Sequence, residues 1–351
     1  MSENYQRVEW KALQTFTANV FEKLGMPPED AAMEAEVLVW ANLRGIDSHG
    51  VQRIESYSRS VEKGGMNPRP NIQTEKETAA ILLVEADHAF GPVVTIPTMK
   101  KVIAKAREVG IGWALIRNTT HQGAMAFYSE MAAAEGMAGF AVVCNPPNMA
   151  PPGAKAPGVH NSPIALAVPG KNHPPISMDM ATSVAAGGKL DVAIDKGISI
   201  PEEWAIGEDG QPTTDPRKSK ALRPAGGYKG YGLALLFECL TSILVGNPLL
   251  TSTLLQKNPP KGGTQNSFIG AIDIAHFTDL NAYQENIDLL ADAMHGLPIV
   301  EGANPILVPG EPERKVYEER LSEGIPLPPG TVAKLKDAAE RFGLEPLPGL
   351  A

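Results

Sequence analysis

Ala79–Val84 (AAILLV), Ile111–Arg117 (IGWALIR) and Gly139–Cys144 (GFAVVC) decide the fold class. Each is a short apolar run with β-branched residues, the pattern of a strand buried on both faces. Between them, Pro92–Val109 and Ala124–Glu135 read as helices. Strands that alternate with helices make an α/β layer, in which helices cover a sheet. Ile164–Val168, Ile176–Met180 and Phe268–Ile272 read as further strands. Tyr231–Leu244 and Asn281–Met294 read as further helices. The proline-rich stretch Pro146–Pro175 is long for a connection, which favours a binding loop over a linker.

The flanks are helical. Val8, Leu13, Phe16, Val20 and Leu24 recur at helical spacing until Gly25. Pro27-Pro28-Glu29-Asp30 opens a second helix with proline and acids in its first turn, and Ala32, Ala35, Leu38 and Leu43 carry its apolar positions. The spacing predicts a third helix from about His49 to Glu62, closed by Gly64-Gly65. Asn67–Ile72 (NPRPNI) reads as a linker. The tail from Glu313 is again helical, broken by Pro326, Pro328 and Pro329. The expected organisation is a helical domain, 1–75 with about 312–351, assembled from both termini, and an α/β domain over 76–311.

Composition narrows the function. The chain has 351 residues and a formal net charge of −9, which disfavours nucleic acid or an anionic membrane as partner. Its two cysteines, Cys144 and Cys239, make neither a disulfide framework nor a zinc motif and suit a reducing compartment. The N-terminus lacks the pattern of a secretory signal. The longest apolar run, Gly230–Gly246, carries Glu238 and falls short of the ~20 residues of a membrane span, so it reads as a buried helix. A cytoplasmic protein is expected. Seven histidines are scattered without metal-ligand spacing, and no metal is expected. The GxGxxG, P-loop, HExxH and GxSxG patterns are absent.

Three clusters carry chemistry. In RGIDSHGVQR (Arg44–Arg53), His49 and Arg53 are four apart and would share a helix face. An imidazole moves a proton near neutral pH, and a guanidinium fork grips a carboxylate through two hydrogen bonds. Ser48 would cap that helix or bond to the imidazole. THQGAM (Thr120–Met125) lies between a strand and a helix, where backbone N–H groups favour an anion. DMATS (Asp179–Ser183) leads to Gly187-Gly188-Lys189, and GGYKGYG (Gly226–Gly232) sets Lys229 at a helix start, suited to phosphate. Each cluster alone also reads as ordinary capping, turning or close packing.

In order, DSHGVQR, HQGAM, DMATS, GGYKGYGL and VPGE (Val308–Glu311) resemble the malate/L-lactate dehydrogenase family, whose members lack a Rossmann fold. The resemblance spans about Tyr5 to Pro312. It implies a non-Rossmann NAD(P)-binding fold with a large mixed sheet and a helical domain from both termini. It implies a homodimer with each active site near the interface. It implies hydride transfer between NADH or NADPH and a 2-oxo acid, or a cyclic imino acid. His49 would then be the proton donor, with Ser48 its partner, and Arg53 would bind the substrate carboxylate. His121, Gln122, Gly123, Ala124, Met125, Asp179, Met180, Ala181, Tyr228, Lys229, Pro309, Gly310 and Glu311 would bind the dinucleotide. The family divides the acid/base role between histidines matching His49 and His121. Two departures stand out. His160-Asn161-Ser162-Pro163 replaces a common GTNP, which puts Asn161 at a substrate-binding threonine. Lys189 stands where some members carry an aspartate that assists the Ser-His pair. The rival reading, a hydrolase or lyase built on Ser48 and His49, lacks a nucleophile elbow.

Overall fold

The computed structural model describes residues 5–350, with the side chains of 195 and 196 left aside. β1 (Gln6–Val8), α1 (Trp10–Lys23), α2 (Pro28–Leu43) and α3 (Ile54–Glu62) lead the chain. β2 (Gln73–Glu77), β3 (Ile81–Glu85), α4 (Gly91–Val109), β4 (Ile111–Thr119), α5 (Ala126–Ala134) and β5 (Met137–Cys144) follow. Then come β6 (Ile164–Val168), β7 (Ile176–Met180), α6 (Gly187–Lys196), β8 (Ala205–Ile206), β9 (Ala221–Leu222), α7 (Tyr228–Glu238), α8 (Leu249–Leu254), β10 (Gln265–Asp273) and α9 (Leu280–His295). α10 (Glu311–Glu323), β11 (Ile325–Leu327) and α11 (Pro329–Phe342) end it.

The main sheet has seven strands in the order β2-β3-β4-β10-β5-β6-β7. β3 and β4 run parallel, joined by the crossover helix α4, and every other neighbouring pair is antiparallel. The expected large mixed sheet is therefore present. α4 and α5 lie almost backbone to backbone on it, at two glycines. A Cβ at Gly112 would sit 2.0 Å from Val102 O, and one at Gly139 would sit 2.1 Å from Ser129 O. Leu82, Ile116, Met125, Tyr128 and Ile269 fill the core between these layers.

The two ends of the chain share one core. β1 pairs antiparallel with β11, Val8 opposite Ile325. Leu13, Phe21, Leu38 and Ile54 pack with Ile325, Leu327 and Leu335. Each such buried aliphatic or aromatic side chain contributes about 1.5–3 kcal/mol relative to exposure, so the C-terminal segment helps hold α2 and α3 in place.

Three expectations need correction. Gly230–Gly246 is not a buried helix: α7 runs into a π-helical turn, and Leu236 and Leu244 are 59% and 62% exposed. Its inner face packs through Ala234, Phe237, Glu238, Thr241 and Ser242, while its outer face is equally apolar. A run apolar on all sides does not reveal which side meets the protein's own core. The second concerns Gln73–Glu77, which continues past the linker as edge strand β2. All five of its residues are exposed, so no apolar alternation marks it. The third is the predicted helix from His49, which starts only at Ile54.

Candidate active site

α2 stops at Leu43, and the chain turns through Gly45, at φ 78°. Two single 3-10 turns follow, Asp47–His49 and Val51–Arg53, divided by an extended Gly50. The cause is a side chain reaching up from α2. Asn42 Oδ1 accepts from Val51 N–H at 2.8 Å, and a Cβ at Gly50 would lie 2.2 Å from that oxygen. Asp47 accepts from Asn42 Nδ2 at 2.6 Å and from both terminal nitrogens of Arg320 on α10, at 2.7 and 3.1 Å. The 47–53 segment is thus clamped from below and from the C-terminal helix.

That clamp presents the first cluster. The Ser48 hydroxyl and His49 Nδ1 are hydrogen-bonded at 2.9 Å. Arg53 Nε donates to Ser48 O at 2.7 Å, which orients the guanidinium and leaves its terminal N–H groups without a partner among the described residues. No carboxylate among those residues bonds to Ser48 or His49. Lys189 lies in the first turn of α6 with its Nζ 5.7 Å from the centre of the Trp204 ring.

His121 arrives from the opposite side, on the loop between β4 and α5. Its ring lies nearly parallel to that of His49, with centroids 5.3 Å apart. His121 Nδ1 meets the Tyr57 hydroxyl at 2.6 Å and Gly123 N–H at 3.2 Å. Burial, then the nearby Arg53 charge, lowers the His49 pKa to about 4. Burial, then His49, Arg53 and His160, holds His121 well below the usual imidazole range. Both imidazoles are therefore neutral at pH 7.

His160 lies deeper than the half-buried His49 and His121 and is itself buried. Asn145 Nδ2 donates to its Nε2 at 3.1 Å, and Ser162 Oγ lies 3.4 Å from its Nδ1. Burial alone lowers its pKa to about 3. A histidine kept neutral when folded and protonated when unfolded costs stability as pH falls. The loss begins below the unfolded value near 6.5 and stops growing near 3. His160→Gln should therefore flatten the fall of unfolding free energy between pH 6 and 4 by about 1.4 kcal/mol per pH unit. Urea titrations at several pH values check this; an unchanged slope would mean His160 is already charged in the fold. The neighbouring Cys144 thiol is pushed up to about 12 by burial, which makes it a poor nucleophile.

Asn161 is held by the protein itself. Its Oδ1 accepts from Asn148 Nδ2 at 2.9 Å, its Nδ2 donates to Ser183 Oγ at 3.3 Å, and its backbone N–H donates to Asn148 Oδ1 at 2.8 Å. It ties the proline-rich loop to the segment after β7 and keeps one amide hydrogen to offer a ligand.

The segments expected to hold a dinucleotide gather around the end of β7. Ala126 N–H donates to Asp179 Oδ2 at 2.8 Å. Ser177 N–H donates to Pro309 O at 3.0 Å, and Ala225 N–H donates to Thr182 O at 2.9 Å. Met180, Tyr228 and Lys229 are exposed, Tyr228 by 73%, and Lys229 has no ion pair among the described residues. Gly227, at φ 61°, caps α7 with open space where a Cβ would stand. An open glycine turn, an exposed lysine and a helix N-terminus suit a pyrophosphate. Other expected residues point inward. Gln122 Nε2 donates to Thr95 and Ser267, and Ala124 and Met125 are buried. Glu311 accepts from Val308 N–H and pairs with His295, so its carboxylate is committed locally, just after Gly310. Gly123 and Ala181 are partly open.

Comparison with known proteins decides what this geometry belongs to. A profile described as malate/L-lactate dehydrogenase matches residues 8–336. The chain is 38% identical to a malate dehydrogenase from Pyrococcus horikoshii, over 99% of this chain and 98% of that one. The chain belongs to the malate/L-lactate dehydrogenase family. The solved structure of the Pyrococcus enzyme superposes with a TM-score of 0.88 at 36% identity, covering 99% of this chain and 98% of that one. An L-sulfolactate dehydrogenase from Methanocaldococcus jannaschii is 36% identical over 93% of this chain and 94% of its own. The structure of a delta1-piperideine-2-carboxylate reductase from Pseudomonas syringae pvar. tomato superposes with a TM-score of 0.85 at 27% identity, over 95% of this chain and all of that one. As a member of this family, the protein is an oxidoreductase of the dehydrogenase kind, acting on CH–OH groups.

Motif reading missed Tyr57, Asn42, Arg320 and Asn148, and it gave no role to Asp47 and Ser183, which lie inside the quoted clusters. Tyr57 had a signal: it lies four residues after Arg53, one further turn toward the same side. The Asp47–Arg320 pair joins residues 273 apart and leaves no local trace.

Proposed function

We propose that this family member reduces a small 2-oxo acid, or oxidises the matching 2-hydroxy acid, with NADH or NADPH as partner. The observation that carries the reading is the joint placement of two facing imidazoles and a guanidinium with unfilled N–H groups. That is what a carbonyl next to a carboxylate requires. Arg53 binds the carboxylate. His49, with Ser48 on its Nδ1, gives its proton to the oxygen on which negative charge develops, and His121 lies against the same oxygen. Asn161 borders the substrate. Gly123, Asp179, Met180, Ala181, Tyr228, Lys229 and the Pro309–Glu311 turn hold the dinucleotide with His121 beside them, while Gln122, Ala124 and Met125 support that loop from the core. Bound there, the nicotinamide supplies the hydride. A cyclic imino acid presents the same carboxylate and an equivalent acceptor carbon, which makes imine reduction the second reading.

The assay follows directly. Nicotinamide fluorescence should change when NADH or NADPH is mixed with the protein. Lys229→Ala should weaken that titration about tenfold, the worth of one charge-assisted hydrogen bond. Oxidation of the bound cofactor is then screened with 2-oxo acids and cyclic imines. Turnover with imines alone would select the second reading, and absence of cofactor binding would end both.

The apolar outer face of α7 and the following turn, Leu233, Leu236, Leu240, Ile243 and Leu244, is continuous with Tyr228 and Lys229 on the same helix. A second copy of the chain is its proposed cover, giving a homodimer with the site near the interface. Sedimentation should then report twice 37.3 kDa, and a mass of one chain would refute it. The two free thiols suit a reducing compartment, and we assign the enzyme to the cytoplasm.

A further inference from the structure

His49 and His121 face one another, and the family resemblance leaves the acid/base role divided between them. The hydrogen bonds around His121 decide which one moves the proton. A neutral imidazole carries its hydrogen on one nitrogen and a lone pair on the other. Gly123 N–H points at His121 Nδ1 at 3.2 Å, and a backbone amide only donates. The lone pair is therefore on Nδ1. The Tyr57 hydroxyl, 2.6 Å from the same atom, must then donate to it as well. The ring hydrogen sits on Nε2, which has no hydrogen-bond partner among the described residues.

We propose that the Gly123 N–H fixes His121 in its Nε2–H form and that Tyr57 is a positioning residue that donates to the same Nδ1 and holds the ring, so that His121 donates a hydrogen bond to the substrate oxygen while His49 alone exchanges the proton. A base at His121 Nε2 would need the opposite tautomer, with a hydrogen on Nδ1 directed at Gly123 N–H. An imidazolium at His121 meets the same collision, because Tyr57 can rotate its hydroxyl but the amide cannot move its hydrogen. The charged and titratable groups facing this ring reinforce the lock. Burial and the Arg53 charge oppose a positive charge on it, and the facing His49 and His160 would add to that only if protonated. Glu34, on α2 near Tyr57, is buried with neither oxygen hydrogen-bonded, and burial raises its pKa; burial, then the nearby Glu34, holds the Tyr57 phenol well above its usual range, so the phenol keeps its proton to donate. The structure contrasts the two rings: His49 Nδ1 faces a serine hydroxyl that can donate or accept, whereas His121 Nδ1 faces a fixed donor.

The catalytic half of this inference rests on the proposed dehydrogenase reaction; the tautomer does not. The test is a long-range 1H–15N spectrum of the full-length, ligand-free protein labelled with 15N-histidine, recorded from pH 6 to 8. The His121 signals are assigned by their loss in His121→Asn. The expected result is a single protonated nitrogen, Nε2, across the range, with Nδ1 shifted as a hydrogen-bond acceptor. A hydrogen on Nδ1, or a doubly protonated ring, overturns the proposal whatever the substrate proves to be. In Tyr57→Phe the Nδ1 signal should move toward that of a free lone pair, and kcat for a 2-oxo acid should fall about tenfold with little change in KM. An unchanged His121 spectrum in that variant would remove Tyr57 from the role. Should the variant not fold, the wild-type spectrum still decides the tautomer.

Discussion

His49→Ala is expected to lower kcat for 2-oxo acid reduction by about 100- to 10,000-fold, the usual worth of a positioned general acid, while NADH or NADPH binds with unchanged affinity. The separation follows from the layout. His49 stands on the 47–53 segment with Ser48 and Arg53, and, His121 aside, the segments proposed to hold the dinucleotide collect around the end of β7. The pH profile carries more information than the loss itself. With His49 as the donor proposed above, reduction requires its ring protonated, and burial and Arg53 hold it at about 4. kcat/KM for reduction should therefore fall as pH rises above about 4. A substrate carboxylate on Arg53 offsets the charge that depresses His49, so the profile of kcat should lie to the alkaline side of the profile of kcat/KM. Oxidation requires the neutral ring and should rise through the same pH and then level off. His49→Ala should remove both dependences. If the variant keeps the wild-type profile at a lower rate, another group donates the proton and the assignment fails.

The central strands were legible because each is a short apolar run bounded by glycine or a polar turn, as in Ile111–Arg117 and Gly139–Cys144. Their order was not. β10 inserts between β4 and β5, and Phe268 pairs with both Leu115 and Val142. That pairing is set by burial on both faces and carries no local signal. β2 was invisible because its five residues are all exposed. At the site, motif reading reached the residue types, but not the backbone that carries them. Spacing put His49 and Arg53 on one helix, and the Asn42 side chain under Gly50 breaks that helix into two turns. Motif membership also hid a division of labour. Gln122 shares a run with His121, yet its amide bonds to Thr95 and Ser267 inside the core. Tyr57 and His121, 64 residues apart, meet only because α3 and the β4–α5 loop pack together.

Substrate anchoring has the sharpest chemical test. Arg53 spends its Nε on Ser48 O, and its two terminal nitrogens have no partner among the described residues. A planar fork held this way matches the two oxygens of a carboxylate. Lysine at that position keeps the charge and loses both the two-point grip and the bond to Ser48 O. One charge-assisted hydrogen bond is worth roughly 1.5–3 kcal/mol, so Arg53→Lys should lower kcat/KM for a 2-oxo acid by about one to two decades. The matching ketone, which lacks the carboxylate, never uses the fork. It should be a poor substrate of the wild-type enzyme and nearly indifferent to the substitution. Loss of the Ser48 contact would affect both substrates alike, so the ratio of the two losses isolates the carboxylate. A ratio near one would mean that Arg53 acts only by holding the 47–53 segment in shape, and the carboxylate would then have to be bound elsewhere.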